Sequence, residues 1–184
     1  MAEPVRLKPP LSEDDARSLE AGTRVLVSGT VFTARDAAHR RLIESIDRGE
    51  ELPFDLEGQV IYYVGPTPAS PGKPVGSAGP TTSSRVDRYT PQLLARGVRA
   101  VIGKGDRGPE VAAALKENGA VYLAAVGGAG ALLAGRIASA EVIAWPELGT
   151  EAVYRFEVED FPAIVVMDSR GGNLYESGRK LFRR

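Results

Sequence analysis

The chain has 184 residues, 43% hydrophobic and 26% charged, which is enough apolar material for one medium-sized core. Lys plus Arg number 23 against 24 Asp plus Glu, a formal net charge of -1, so the basic excess that draws a protein to nucleic acid or an anionic membrane is missing. Cysteine is absent and His39 is the single histidine, which removes disulfides, thiol nucleophiles and thiolate-bound clusters, and gives no basis for a self-contained metal site.

The N-terminal MAEPVRLKPPL lacks a signal-peptide pattern, and no run approaches the ~18 apolar residues of a spanning helix. The expectation is a soluble, cytoplasmic protein with no membrane partner. Residues 1–11 read as an extended, proline-rich arm. Ser12 then caps a short helix whose Glu13, Asp14 and Asp15 suit the positive end of its dipole.

From Arg24 a rhythm of strand and helix sets in. Residues 24–28 form a first strand, followed by a helix over 34–46 with Ala37, Ala38, Leu42, Ile43 and Ile46 on one face and Gly49 at its end. Val60 to Val64 is a second strand. Residues 65–80, GPTPASPGKPVGSAGP, are crowded with Gly and Pro. They read either as a linker or as a long loop, and the small cores that a linker would leave on each side favour the loop.

Thr81 to Ala95 reads as one helix with Val86, Tyr89, Leu93 and Leu94 inward. Residues 98–102 are a strand, 109–118 a helix ended by Gly119, 121–126 a strand, and a short helix reaches about Ile137. A strand over 141–145 is followed by two β-segments, 152–158 and 163–167, with a turn at 170–173 and a basic tail over 179–184. Alternation of this kind predicts an α/β domain spanning 1–184, with a mostly parallel core sheet, right-handed crossovers and a second layer of strands.

In such sheets ligands bind beyond the carboxyl ends of parallel strands. Three junctions carry suggestive residues there. The first holds Ser28, Gly29, Thr30, Thr33, Arg35 and Asp36, the second Gly79 to Arg85, and the third Gly103-Lys104-Gly105-Asp106. Taken singly, each reads as helix caps and solvated charge. Taken together, Arg35, Arg85 and Lys104 would form a cup for a small molecule with two carboxylates. Thr81, after Gly79-Pro80, offers a hydroxyl that needs a neighbouring charge or base to move a proton. His39 is one turn after Arg35 and reads equally as a base or as a supporting residue, while Asp36 reads as a cap or as an orienter of Arg35. Gly103-x-Gly105-x-x-Gly108 imitates a dinucleotide fingerprint, but the position for the ribose-binding acid falls in Ala124-Ala-Val-Gly-Gly128, which has none.

Ser28-Gly-Thr30, Ala34-Arg-Asp-Ala-Ala-His39, Gly79-Pro-Thr-Thr-Ser-Ser-Arg85 with Asp87, Gly103-Lys-Gly105 and Val158-Glu-Asp-Phe-Pro162 occur in one order from about residue 10 to 178. These blocks resemble the β subunit of class I fumarases and L(+)-tartrate dehydratases. Ser83-Ser84 departs from the Ala-Gly often found there. The resemblance implies a swivelling, three-layer β/β/α domain that closes over a [4Fe–4S] cluster ligated by a separate α subunit, in a dimer of αβ units acting on a C4 dicarboxylate. It also implies reversible hydration of fumarate to L-malate, or the equivalent tartrate chemistry. Carried over by position, Arg35, Arg85 and Lys104 bind carboxylates and Thr81 handles the C3 proton. Asp36, His39 and Asp87 lie in the same blocks as supporting residues. The reading from another class is a non-catalytic dicarboxylate-binding domain.

Overall fold

A computed structural model describes residues 3–182. Seven strands and six helices follow one another as β1 (Val5–Leu7), α1 (Glu13–Ser18), β2 (Arg24–Thr33), α2 (Asp36–Arg48), β3 (Val60–Tyr62), α3 (Thr90–Ala95), β4 (Ala100–Gly103), α4 (Pro109–Glu117), β5 (Val121–Ala124), α5 (Gly130–Ala134), β6 (Ile137–Ala144), β7 (Val153–Met167) and α6 (Leu174–Phe182). Single 3₁₀ segments precede α3, at Ser83–Val86, and β7, at Pro146–Glu151.

Strands β1 to β5 lie side by side in parallel, in chain order. The 15-residue β7 then runs antiparallel to both β5 and β2, so β2-β3-β4-β5-β7 closes on itself like a barrel, with β6 added antiparallel to β7. The sheet is therefore mixed and closed, whereas the sequence pattern led to a mostly parallel core sheet with a second layer of strands. The two β-segments read at 152–158 and 163–167 are one strand. Asp160, at φ 46°, bends it without ending it, and Pro162 stays in register opposite Leu26. Ser28 completes the irregularity on the facing strand: its Oγ accepts the Asp160 N–H at 2.9 Å, beside the register shift between Val27 and Gly29.

The period-2 alternation of strand side chains divides the core in two. Val25, Val27, Tyr62, Ile102, Leu123, Phe156, Phe161 and Val165 belong to one buried cluster, the side on which the sheet closes. Ile61, Val101 and Tyr122 face the other way, into a cluster with Ala38, Leu42 and Ile46 of α2, Leu93 and Leu94 of α3, and Val111 and Leu115 of α4. At about 25 cal/mol per Å² of apolar surface buried, fully covering a Leu, Ile or Phe is worth roughly 1.5–3 kcal/mol, so these two stripes dominate the fold's stability.

Local signals were obeyed closely at the helix ends. Ser12 and Asp15 form a reciprocal capping box on α1, and Gly49 ends α2 in the left-handed conformation at φ 65°. The stretch 81–95 is not one helix. A 3₁₀ turn covers Ser83–Val86, and α3 starts only at Thr90, with Pro91 in its first turn where a missing N–H costs nothing.

The 65–80 loop folds back on itself. Thr67 exchanges backbone bonds with Gly76 and Ser77, Val75 and Ala78 are buried, and Ala78 donates to the Gly130 carbonyl at 3.0 Å. The described part of the basic tail continues α6 to Phe182, and residues 183–184, like residues 1–2 of the N-terminal arm, lie outside the described residues. No helix among the described residues is long and apolar enough to cross a membrane.

Candidate active site

Because β2, β3, β4 and β5 are parallel neighbours, their carboxyl ends share one edge of the sheet. The chain leaves β2 at Thr33 and reaches Arg35, leaves β3 at Tyr62 and reaches Gly65, leaves β4 at Gly103 and reaches Lys104, and leaves β5 at Ala124 and reaches Gly127. Strand β2 runs five residues past the end expected at Ser28. Ser28 and Thr30 thus belong to the seam with β7, where Thr30 Oγ1 donates to Glu157 Oε1 at 2.6 Å, and they do not border the edge.

Arg35 occupies the N-cap position of α2 without capping it. Glu151, from the distant 3₁₀ segment, does so instead: its Oε2 accepts the Ala37 N–H at 2.8 Å, and its Oε1 lies 3.6 Å from Arg35 Nη2. The Arg35 side chain passes across Gly65, where a Cβ would come within 2.8 Å of both Cδ and Nη1. Its Nε is buried and has no partner among the described residues. Asp36 accepts from Arg85 Nε at 3.0 Å, tying the 3₁₀ turn to the first turn of α2. Asp36 is thus an orienter, but of Arg85 and not of Arg35.

Thr81 and Lys104 are joined by backbone. Residues 80–83 lie between the ends of β3 and β4: the Thr81 N–H donates to the Tyr63 carbonyl at 2.8 Å, the Lys104 N–H to the Thr81 carbonyl at 3.3 Å, and the Ser83 N–H to the Lys104 carbonyl at 2.9 Å. The Thr81 hydroxyl donates to the Tyr63 carbonyl at 3.1 Å, so it starts at the strand edge and not at a helix N-terminus. The Lys104 stem runs past Gly127, whose added Cβ would sit 3.4 Å from Lys104 Cδ. Arg35 and Arg85 are each shared with one carboxylate, and Lys104 has no ion-pair partner among the described residues.

Two of the expected supporting residues lie beneath this edge. His39 is fully buried, with Nδ1 2.9 Å from the Arg35 carbonyl, and its ring packs edge-on to Tyr63 at 5.0 Å and stacks against Tyr89 at 6.2 Å. Nδ1 therefore carries the proton in the neutral ring. Burial, reinforced by the Arg107 charge, pushes its pKa down to about 4, against the opposing pull of the Arg35 carbonyl and Asp36. A neutral, enclosed imidazole of this kind supports the Arg35 backbone and does not reach a ligand. Asp87 accepts from Arg107 Nε and from the Gly108 N–H, both at 2.6 Å. Arg107 went unremarked in the sequence, because nothing local distinguishes it from a solvated arginine ahead of Gly108-Pro109. Glu151 was missed for the same reason.

An iron–sulfur cluster does not fit this chain's own donors. There is no cysteine, the one imidazole is enclosed with Nδ1 committed, and the described residues contain no group of three side chains that could hold a metal ion.

The chain matches the family described as "Fumarase C-terminus" over residues 1–178. It is 43% identical over 156 residues to "Fumarate hydratase class I, aerobic" of Escherichia coli K12, covering 84% of this chain and 28% of that protein. "Fumarate hydratase 2" of Leishmania major is also 43% identical over 156 residues, with the same coverage. "Putative L(+)-tartrate dehydratase subunit beta" of Methanocaldococcus jannaschii is 38% identical over 176 residues, 92% of this chain and 90% of that one. The chain thus spans little more than a quarter of the class I fumarate hydratases that it matches and nearly the whole of the tartrate dehydratase subunit. A family match over residues 1–178, together with identities of 38–43% to these relatives, means that this chain belongs to the fumarase C-terminus family.

Proposed function

We propose that residues 1–184 act as one swivelling, three-layer unit, the β subunit of a class I fumarate hydratase that reversibly hydrates fumarate to L-malate. The observation that carries this reading is the assembly of Arg35, Thr81, Arg85 and Lys104 on the carboxyl edge of adjoining parallel strands, in a member of this family.

Fumarate presents two carboxylates at opposite ends of a rigid double bond. A guanidinium grips one of them in a fork, and the Lys104 ammonium adds a compact charge. Arg35, Arg85 and Lys104 thereby fix the plane of the substrate, and fixed geometry is a large part of what an enzyme contributes to such an addition. Hydration adds hydroxide at C2 and a proton at C3. In hydration the Thr81 hydroxyl leaves its bond to the Tyr63 carbonyl and delivers that proton, and the proton released by the attacking water restores it; dehydration runs the same transfers in reverse, the Thr81 alkoxide taking the C3 proton and a proton passing to the departing hydroxide. The cations of the cup lower the cost of the developing alkoxide.

A [4Fe–4S] cluster, held by a separate α subunit, supplies Lewis-acid activation of the hydroxyl. A partner is also supported by Val126, just beyond β5, and Leu132 of α5, apolar side chains that are 65% and 69% exposed and line one groove with Leu26 and Ile164. The complex is a cytoplasmic dimer of αβ units. The match to a tartrate dehydratase subunit over 90% of its length supports a second reading, in which the same cup holds tartrate.

Co-expression with the neighbouring Fe–S subunit, anaerobic purification, and assays with fumarate, malate and L(+)-tartrate test the proposal. Turnover of fumarate and malate by the complex, and none by this chain alone, is the expected result. Turnover by the isolated chain would overturn the subunit reading. Dicarboxylate binding by the isolated chain, with no turnover in the complex, would support a non-catalytic binding domain instead.

A further inference from the structure

The segments that carry the candidate site are joined below the surface by a polar network with Arg107 at its centre. The Arg107 side chain is 0% exposed and that of Asp87 is 10% exposed, so the pair is held away from water. Its guanidinium spans two partners on the stretch that follows Arg85: Nε donates to Asp87 Oδ1 at 2.6 Å, and Nη2 to Thr90 Oγ1 at 2.8 Å. It also lies over the rings of Tyr63, at 5.4 Å, and Tyr122, at 5.0 Å. Tyr63 directly follows β3 and supplies the carbonyl to which Thr81 is bound. The Tyr122 hydroxyl, from β5, donates to the Gly105 carbonyl at 2.8 Å and lies 2.9 Å from Ser83 Oγ. Asp87 also takes the Gly108 N–H at 2.6 Å, which pins the far end of the turn begun by Lys104.

One buried side chain therefore touches or neighbours every segment that offers a group to the ligand, except the one bearing Arg35. A lysine could not replace it. The five donors of a guanidinium lie in a rigid plane that can serve two acceptors and stack between two rings at once, whereas an ammonium is a point charge.

We infer that Arg107 is the positioning residue of the candidate site, clamping the Ser83–Thr90 stretch to the Lys104–Gly108 turn so that Thr81, Arg85 and Lys104 keep a fixed mutual geometry. Its effect on turnover rests on the hydro-lyase reading, and its effect on the turn does not.

The test uses Arg107→Lys and, as a variant that keeps the core filled, Tyr122→Phe, each in the complex with the Fe–S subunit and each alone. In the free chain, amide hydrogen exchange at Ser83 and Gly108 should speed up at least tenfold in Arg107→Lys, while amides of β6 and β7 keep their wild-type rates. In the complex, at a temperature well below unfolding, kcat/KM per folded molecule should fall about 100-fold in Arg107→Lys, the scale of a misplacement near 1 Å. A fall of about tenfold is expected in Tyr122→Phe, which frees Gly105 and Ser83 but leaves the guanidinium clamped. Should Arg107→Lys fail to fold, Thr90→Val, which removes the acceptor of Arg107 Nη2 and keeps the core filled, carries both measurements.

Unchanged exchange at Ser83 and Gly108 would overturn the clamp whatever the enzyme does. Altered exchange with wild-type kcat/KM per folded molecule would overturn the link to the site. A wild-type complex with no hydro-lyase turnover would instead defeat the functional reading, and the exchange result would still decide the clamp.

Discussion

Replacing His39 with glutamine should flatten the chain's stability between pH 7 and pH 5. The imidazole is fully buried, and burial holds its pKa near 4 in the folded state, against about 6.5 when the chain is unfolded. The folded pKa is the lower of the two, so as pH falls the unfolded chain takes up the proton first. The associated stability is complete above about pH 6.5 and is lost progressively as pH drops toward 4. At about 1.36 kcal/mol per unit, the term amounts to roughly 2 kcal/mol between pH 7 and pH 5. Carboxylates also titrate near the lower end, but they do so in both proteins and cancel in the comparison. Urea unfolding of wild type and His39→Gln at the two pH values measures the difference directly. Wild type should lose about 2 kcal/mol more than the variant on acidification. Parallel losses would mean that the imidazole is already charged, or is reached by water, in the folded chain, and the account of a neutral ring supporting the Arg35 carbonyl would fail.

The remaining expectations concern the reconstituted complex. Arg85→Ala and Lys104→Ala should each lower kcat/KM on the order of 100-fold, the equivalent of about 1.5–3 kcal/mol for a lost charged hydrogen bond, and wild-type kinetics in both would discard the cup. Thr81→Val should reduce kcat far more than it raises KM, and a pure KM effect would reduce Thr81 to a binding group. Gly65→Ala places a methyl within 2.8 Å of Arg35 Cδ and Nη1 and 2.9 Å of the Thr150 carbonyl, so it should impair kcat/KM through Arg35, and unaltered steady-state kinetics would show that Arg35 need not lie across Gly65.

Much of the fold could be read from periodicity because the elements concerned are governed locally. Helix α1 has its own capping box and α2 a stripe of apolar residues and a glycine stop, so these limits are set locally, and only the start of α2 draws on a distant partner, Glu151. The closure of the sheet had no such local sign. Asp160 at positive φ and Pro162 within a strand are both features that normally end β structure, and they persist in β7 because the seam absorbs them. Ser28 satisfies the Asp160 N–H, and the register shift at Val27/Gly29 takes up the bend. The same seam accounts for the misplaced end of β2. Ser28-Gly29-Thr30 looks like a loop in sequence, yet it is paired with Glu157 and Val158, and the pairing carries the strand on to Thr33.

That extension bears directly on the candidate site. Had β2 ended at Ser28, Arg35 would have stood a turn away from the strand edge. Pairing through Thr33 with Tyr62 instead delivers Arg35 beside Gly65, at the same edge as Thr81 and Lys104. The sequence singled out the proposed cations and the threonine because they lie in short, distinctive blocks at strand ends. Arg107, Tyr122 and Glu151 were not, because their importance comes from what the fold brings to them. An arginine between Asp106 and Gly108 looks like solvated charge until Asp87, Thr90 and two tyrosine rings enclose it. The groups proposed to meet the substrate thus follow from local pattern, whereas the groups packed behind them follow only from tertiary pairing. Substitutions in the buried set should accordingly alter geometry and turnover together, while those in the surface set should leave the fold intact and remove single contacts.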